Sequence, residues 1–199
     1  IGVTKAQIAR KILGWAKKSC ELMVTAGPKF GTGGINLKKL RELGEQGSGE
    51  LLADVKPNDM AAILFTSGST GVPKGVVYRH RHFNAQVRML QNAFDIEPGE
   101  VSLPTFPPFA LFDPALGMTT VVPVMDPTRP ADADPEKLLE AIDKFKVTNV
   151  FGSPALLDTL SRYCVDKHIR IESVPRVISA GAAVPIRTIR RMKNSLYQD

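Results

Sequence analysis

From Asp59 onward, short apolar runs bounded by turn residues alternate with segments of helical period, and this alternation restricts the fold more than any other feature. Ala61–Phe65 reads as a buried strand and Gly75–Tyr78 as a second one. Helical period follows over His80–Phe94. Val101–Phe106 reads as a strand, Phe109–Gly117 as a short helix and Thr119–Met125 as a β-branched strand. Asp134–Phe145 is a helix, with Asp134 as N-cap and Pro135 at its first position. Thr148–Phe151 and Arg176–Ala180 are strands, each followed by a helix, Pro154–Lys167 and Pro185–Tyr197. Strands separated by helices of about ten to fifteen residues build βαβ units. The expected fold class is therefore α/β: a mainly parallel sheet with helices on both faces. In such sheets, ligands sit at loops beyond the carboxyl ends of the strands.

The first 54 residues have another texture. Thr4 to Met23 reads as an amphipathic helix opened by a Thr4/Gln7 capping box and stopped at Gly27-Pro28. Residues 26–50 are rich in glycine and read as a loose connector with one short helix near Leu37–Leu43. The expected organisation is thus an N-terminal helix and Gly-rich connector over 1–54, then an α/β domain over 55–199. A start at Ile1 and a stop at Asp199 suggest a piece of a longer protein.

Composition removes several classes. No apolar run approaches the roughly 20 residues that span a bilayer, and the longest, Leu103 to Phe112, contains three prolines. Thr4 to Met23 alternates charge with apolar residues, unlike a signal peptide. Cys20 and Cys164 stand far apart and form no CxxC pair, which fits a reducing cytoplasm and gives no zinc site. The net charge of +6 gathers at the ends: residues 1–50 carry nine basic and four acidic side chains. Basic ends could meet nucleic acid or an anionic membrane. No recognition module accompanies them, so they read as solvated helices. No nucleic-acid partner is expected, and peripheral membrane contact stays open.

The chemistry concentrates in Thr66-Ser67-Gly68-Ser69-Thr70-Gly71-Val72-Pro73-Lys74-Gly75, between two strands. Glycines let amide N–H groups approach a ligand with no Cβ in the way. The hydroxyls add donors, and Lys74 adds a cation on a flexible stem. An anion-binding concavity with one cation suits a polyphosphate. It is not a Walker A loop, which needs glycine immediately before the lysine; Pro73 stands there and has no N–H. GxGxxG is absent as well.

Thr66 to Val76 resembles the phosphate loop of the adenylate-forming superfamily, [ST]SG[ST]TGxPKGV, with Ser69-Thr70 standing for the hydroxyl pair. Ser179-Ala180-Gly181-Ala182-Ala183-Val184-Pro185 resembles that family's SGGAPL segment, whose small residues line the adenine pocket. Phe151-Gly152-Ser153-Pro154 resembles its acyl-pocket segment. The resemblance, carried from about residue 55 to the end, implies part of the large N-terminal domain of such an enzyme. It implies ATP and Mg²⁺ as cofactors. Thr66, Ser67, Gly68, Ser69, Thr70, Gly71, Lys74, Gly181, Ala182 and Ala183 would bind the nucleotide, and Phe109, Ala110, Phe112 and Ser153 the acyl substrate.

One departure is informative. Many members carry a PxFH-like segment, and Pro107-Pro108-Phe109-Ala110 puts Ala110 in the histidine's place. The stretch Phe106 to Gly117, with Val124 to Pro130, resembles the β-lactone synthetase branch of bacterial long-chain olefin biosynthesis. That implies a ligase acting on ATP and a long-chain fatty or β-hydroxy acid, with a long-chain fatty acyl-CoA ligase as the alternative. The family's YGxTE acid, ribose aspartate and catalytic lysine find no match, so no catalytic residue and no metal ligand is expected within these residues. The 199-residue chain is expected not to turn over by itself; a non-catalytic phosphate-binding piece is the reading of another class. Smaller signals take plainer readings. His80 and His82 read as a helix start. Asp113 reads as a helix N-cap, with a polar group in a substrate pocket as the alternative.

Overall fold

A computed structural model describes residues 1–47, 49, 52–66 and 71–196. The chain divides into two compact units, Ile1–Asp54 and Val55–Asp199.

The first unit holds a three-stranded parallel sheet in the order β1 (Gly2–Val3), β2 (Val24–Ala26), β3 (Ile35–Asn36), with helices α1 (Thr4–Leu13) and α2 (Leu37–Glu45). Helix α1 is shorter than expected because Gly14, at φ 67°, closes it in the left-handed conformation. The expected capping box is not formed. Val3 is the N-cap, the Thr4 hydroxyl donates to the Pro28 carbonyl at 2.7 Å, and buried Gln7 Nε2 donates to the Val24 carbonyl at 3.2 Å. The expected loose connector contains β3 and α2, whose N-cap Asn36 accepts the Lys38 N–H at 2.8 Å.

The second unit begins with an antiparallel ribbon, β4 (Met60–Thr66) against β5 (Lys74–Arg79), followed by α3 (His80–Phe94). Its main sheet runs β7 (Thr119–Thr120), β6 (Val101–Pro104), β8 (Asn149–Gly152), β9 (Arg176–Ser179), every pair parallel. Two 3-10 turns, Pro107–Leu111 and Pro114–Leu116, lead from β6 to β7. Helix α4 (Pro135–Phe145) precedes β8, α5 (Pro154–Asp166) joins β8 to β9, and α6 (Ile186–Ser195) follows β9. This is the expected α/β class, a mainly parallel sheet with helices.

Alternation along the strands sorts the two faces of the sheet. Leu103 and Val150 join Leu138, Ile142, Leu156 and Leu160 in the main core, which α4 and α5 cover. On the other side Ile96, Leu116 and Met118 form a smaller core with Val87 and Leu90 of α3. Capping proceeds as the sequence suggests: Asp134 accepts the Glu136 N–H, and Ser153 Oγ accepts the Leu156 N–H. His82 Nδ1 accepts the Arg79 N–H, so the His80–His82 pair does open a helix.

Two expectations fail here for physical reasons. Ala61–Phe65 is not a buried strand: Phe65 remains 72% exposed and Ile63 49%, because among the described residues the ribbon has two strands and no further strand covers it. Thr119–Met125 shortens to Thr119–Thr120, since Pro123 cannot donate to a ladder. Among the described residues, no helix is long and apolar enough to cross a membrane.

Candidate active site

The strand order places the crossover to β7 on one side of β6 and the crossover to β9 on the other side of β8. A parallel sheet opens a crevice at such a switch, beyond the strand carboxyl ends. A cavity of about 370 Å³ lies there. Thr105 and Phe106 line it from the end of β6, Phe151 and Ser153 from β8, and Ala180 and Gly181 from β9, with Phe109, Pro127 and Pro130 completing the wall. Thr105 continues the β6–β8 ladder, its N–H and its hydroxyl both donating to the Phe151 carbonyl at 3.0 and 2.9 Å. Gly181 takes φ 98°, and a Cβ there would meet nothing within 4 Å. The floor at this strand end is therefore bare backbone, open to a flat ligand.

A second cavity, of about 470 Å³, adjoins the first and shares Phe106 and Phe109 with it. It is almost wholly apolar: Leu64 and Tyr78 come from the ribbon, Phe83, Met89 and Leu90 from α3, and Phe112 from the 3-10 segment. Among the described residues, Gln86 is its one amide side chain. Phe109 stands between the cavities, stacked on Phe151 with ring centroids 3.9 Å apart and planes 22° apart.

The expected nucleotide residues fall into three groups. Thr66 and Lys74 form the last register pair of the ribbon, so the loop between them leaves two paired strands. Lys74 is exposed, and Gly71 takes φ 87° with open space around a notional Cβ. Ser67, Gly68, Ser69 and Thr70 lie outside the described residues. Gly181 lines the first cavity, whereas Ala182 and Ala183 are exposed beside it and do not line it.

Of the expected acyl residues, Phe109 lines both cavities, Phe112 the apolar one and Ser153 the first, where its hydroxyl is also committed to capping α5. Ala110 is half-buried and lines neither. Asp113 stands, as expected, at the N-cap position of the Pro114–Leu116 turn, but its side chain makes no capping bond and lines neither cavity; it is buried and accepts the Thr120 hydroxyl at 2.9 Å. Sequence reasoning missed Thr105, whose only signal is a hydroxyl residue directly after a strand. It also missed Leu64 and Tyr78, which reach the apolar cavity only because the ribbon turns one face towards α3.

Comparison with known proteins accords with this geometry. The family described as AMP-binding enzyme matches residues 5–198, so the match begins inside the first unit. The chain is 53% identical over 199 residues to the olefin beta-lactone synthetase of Xanthomonas campestris pv. campestris, covering all of this chain and 35% of that protein. It is 54% identical over 200 residues to the enzyme of the same name from Stenotrophomonas maltophilia, again covering 35% of the relative. The chain thus spans about a third of the length of these relatives. Among solved structures, the anthranilate CoA ligase AuaEII in complex with anthranoyl-AMP superposes with a TM-score of 0.76 at 17% identity, over 98% of this chain and 38% of that one. MbtA of Mycobacterium smegmatis gives a TM-score of 0.75 at 18% identity, over 98% of this chain and 35% of that one. At such identities the likeness is one of fold.

Proposed function

The chain belongs to the AMP-binding enzyme family, and we propose that the whole protein is an ATP-dependent ligase that converts a long-chain β-hydroxy acid to a β-lactone. The observation that carries this reading is the pair of adjoining cavities that share Phe106 and Phe109, one at the strand ends and one lined by hydrocarbon and aromatic rings. The relatives named olefin beta-lactone synthetase, matched along the entire chain, support the choice of product.

In this reading the substrate carboxylate attacks the α-phosphorus of ATP, and pyrophosphate leaves. The β-hydroxyl of the same acyl chain then attacks the activated carbonyl, closing a four-membered ring and expelling AMP. Thr66, Ser67, Gly68, Ser69, Thr70, Gly71 and Lys74 hold the triphosphate, where fixed N–H and O–H donors and one ammonium offset the charge that develops on the leaving group. Gly181, with Ala182 and Ala183 after it, offers a surface without bulky side chains to the adenine. Phe109, Ala110, Phe112 and Ser153 belong to the acyl side. Residues 55–199 supply these contacts, and residues 1–54 form a separate small unit. Ring closure needs no incoming thiol, which agrees with Ala110 standing in the place of the histidine of the PxFH-like segment that many members carry.

Mg²⁺ accompanies the nucleotide in this reading. Among the described residues no three acidic, histidine or cysteine side chains come together to hold a metal ion. The same reading puts the protein in the cytoplasm, with the nucleotide and a lipid acid as its partners.

Product mass tests the proposal. The whole protein, given ATP and a long-chain 3-hydroxy acid, should yield the acid minus one water whether or not coenzyme A is present. A product that appears only with coenzyme A and carries its mass would instead identify an acyl-CoA ligase.

A further inference from the structure

A parallel sheet covered on both faces is ordinarily apolar through its middle. Here a line of hydrogen-bonding side chains crosses it. Ser102 on β6 pairs in register with Thr120 on β7 and with Asn149 on β8. Ser102 is 1% exposed and Asn149 3%. Asp113, also 3% exposed, closes over this line. Its Oδ2 accepts the Thr120 hydroxyl at 2.9 Å. Asn149 Nδ2 donates to Ser102 Oγ at 3.4 Å, while Asn149 Oδ1 is buried with no partner among the described residues. A cavity of about 50 Å³ is lined by Ser102, Asp113 and Asn149 and walled by Phe109, Phe112 and Phe151. A buried water needs space for at least one probe sphere, on the order of 10–15 Å³, and two to four polar partners. This cavity offers both.

We propose that Asp113, Ser102 and Asn149 hold internal water in this cavity, and that Asp113, tied to β7 through Thr120, is a positioning residue for the Phe109–Phe112 wall. The inference rests on the reading of the two larger cavities as the substrate site. Asp113 directly follows Phe112, and its carbonyl accepts the N–H groups of Leu116 and Met118 at 3.1 and 2.9 Å. Its backbone therefore sets the turn from the wall into β7, and its side chain ties that turn to the sheet. Water on the Asn149 side would tie Phe109 and Phe112 to β8 as well.

Electrostatics agrees. Burial pushes the Asp113 carboxyl above its ordinary 3.8, against the pull of Thr120 and Ser102. No other titratable side chain lines the cavity from α3, β6, β8, β9 or the Pro107–Leu116 segment. Arg176 on β9, in register with Asn149, is committed to an ion pair with Glu100.

The test uses Asp113→Asn and Asp113→Leu in the whole protein. The leucine variant should raise the KM for a long-chain 3-hydroxy acid about tenfold, equivalent to ~1.4 kcal/mol. The KM for ATP should stay within about twofold, less than ~0.5 kcal/mol, and the asparagine variant should restore the acyl KM. Equal shifts in both KM values, or asparagine as harmful as leucine, would overturn the proposal. A second measurement stands apart from turnover. A carboxyl whose folded value lies above 3.8 contributes stability that is full below the unfolded value and is lost as pH rises through the folded one. The stability difference between the parent and Asp113→Asn should therefore change with pH above about 4. A difference that is constant in pH would sink the buried-acid cluster even if the enzyme proves to have another substrate.

Discussion

Thr66 stands opposite Lys74 in the final register pair of the β4–β5 ribbon. Lys74 is thereby the first residue of β5, directly after the glycine- and hydroxyl-rich segment in the chain. An ammonium held at the root of a loop can face a ligand gripped by the loop's N–H groups without itself contributing to packing.

Lys74→Ala in the whole protein should therefore separate function from stability. Loss of a preorganised cation facing developing charge costs about a hundredfold or more in rate, roughly 2.7 kcal/mol. An exposed side chain changes stability by about ±0.5 kcal/mol. The expected outcome is a large fall in kcat/KM for ATP with an unchanged thermal midpoint. Unaltered adenylation kinetics would remove the loop from the mechanism.

Phe109 separates the two cavities and stacks on Phe151. Phe109→Ala should merge the cavities and lose a ring pair worth about 1 kcal/mol beyond its buried area. The ratio of kcat/KM between medium- and long-chain 3-hydroxy acids should shift by about tenfold, ~1.4 kcal/mol. A variant with the parent's chain-length profile would show that Phe109 does not face the acyl chain.

The N-terminal edge of the sheet carries an acid-sensitive contact. Burial raises Glu100, but this is outweighed by the hydrogen bond from Arg176, the Glu97 N–H at 2.8 Å, the charge of Arg176 and the Thr148 hydroxyl, leaving its carboxyl below the ordinary 4.5. A depressed acid contributes stability above its unfolded value that is lost as pH falls through the folded one. Glu100→Gln should thus be less stable than the parent at neutral pH and should converge on it below about pH 4. Equal stability at pH 7 would contradict the ion pair.

The two thiols should differ in reactivity. Cys164 is buried in the main core, and desolvation pushes it up to about 11, whereas Cys20 is half-buried. A thiol reacts as its thiolate. At neutral pH iodoacetamide should therefore label Cys20 in the folded chain and reach Cys164 only after denaturant is added. Rapid native labelling of Cys164 would contradict the core packing.

The alternation of strands and helices from Val101 onward was legible because period and length are local properties. Asp134 and Ser153 announced their helices through cap chemistry that operates within three residues. The ribbon was legible as two strands but not as exposed ones. An apolar run such as Ala61–Phe65 states a demand for burial and says nothing of what meets it. The glycine- and hydroxyl-rich string with Lys74 could be singled out from its residue types, and Gly181 and Phe109 through the family resemblance. Thr105 and Tyr78 are ordinary residue types brought to the cavities by strand register, which is non-local. Asp113 could be singled out, but its bond to Thr120 could not, because Thr120 is brought to it by the pairing of β7 with β6 after the Pro114–Leu116 turn.

Carboxylate activation itself is tested most directly by ATP–pyrophosphate exchange. The whole protein, given ATP, labelled pyrophosphate and a long-chain 3-hydroxy acid, should return label into ATP only when the acid is present. Lys74→Ala should abolish most of that exchange. Label returned equally without the acid, or no exchange with any carboxylate while ATP is still consumed, would contradict the account.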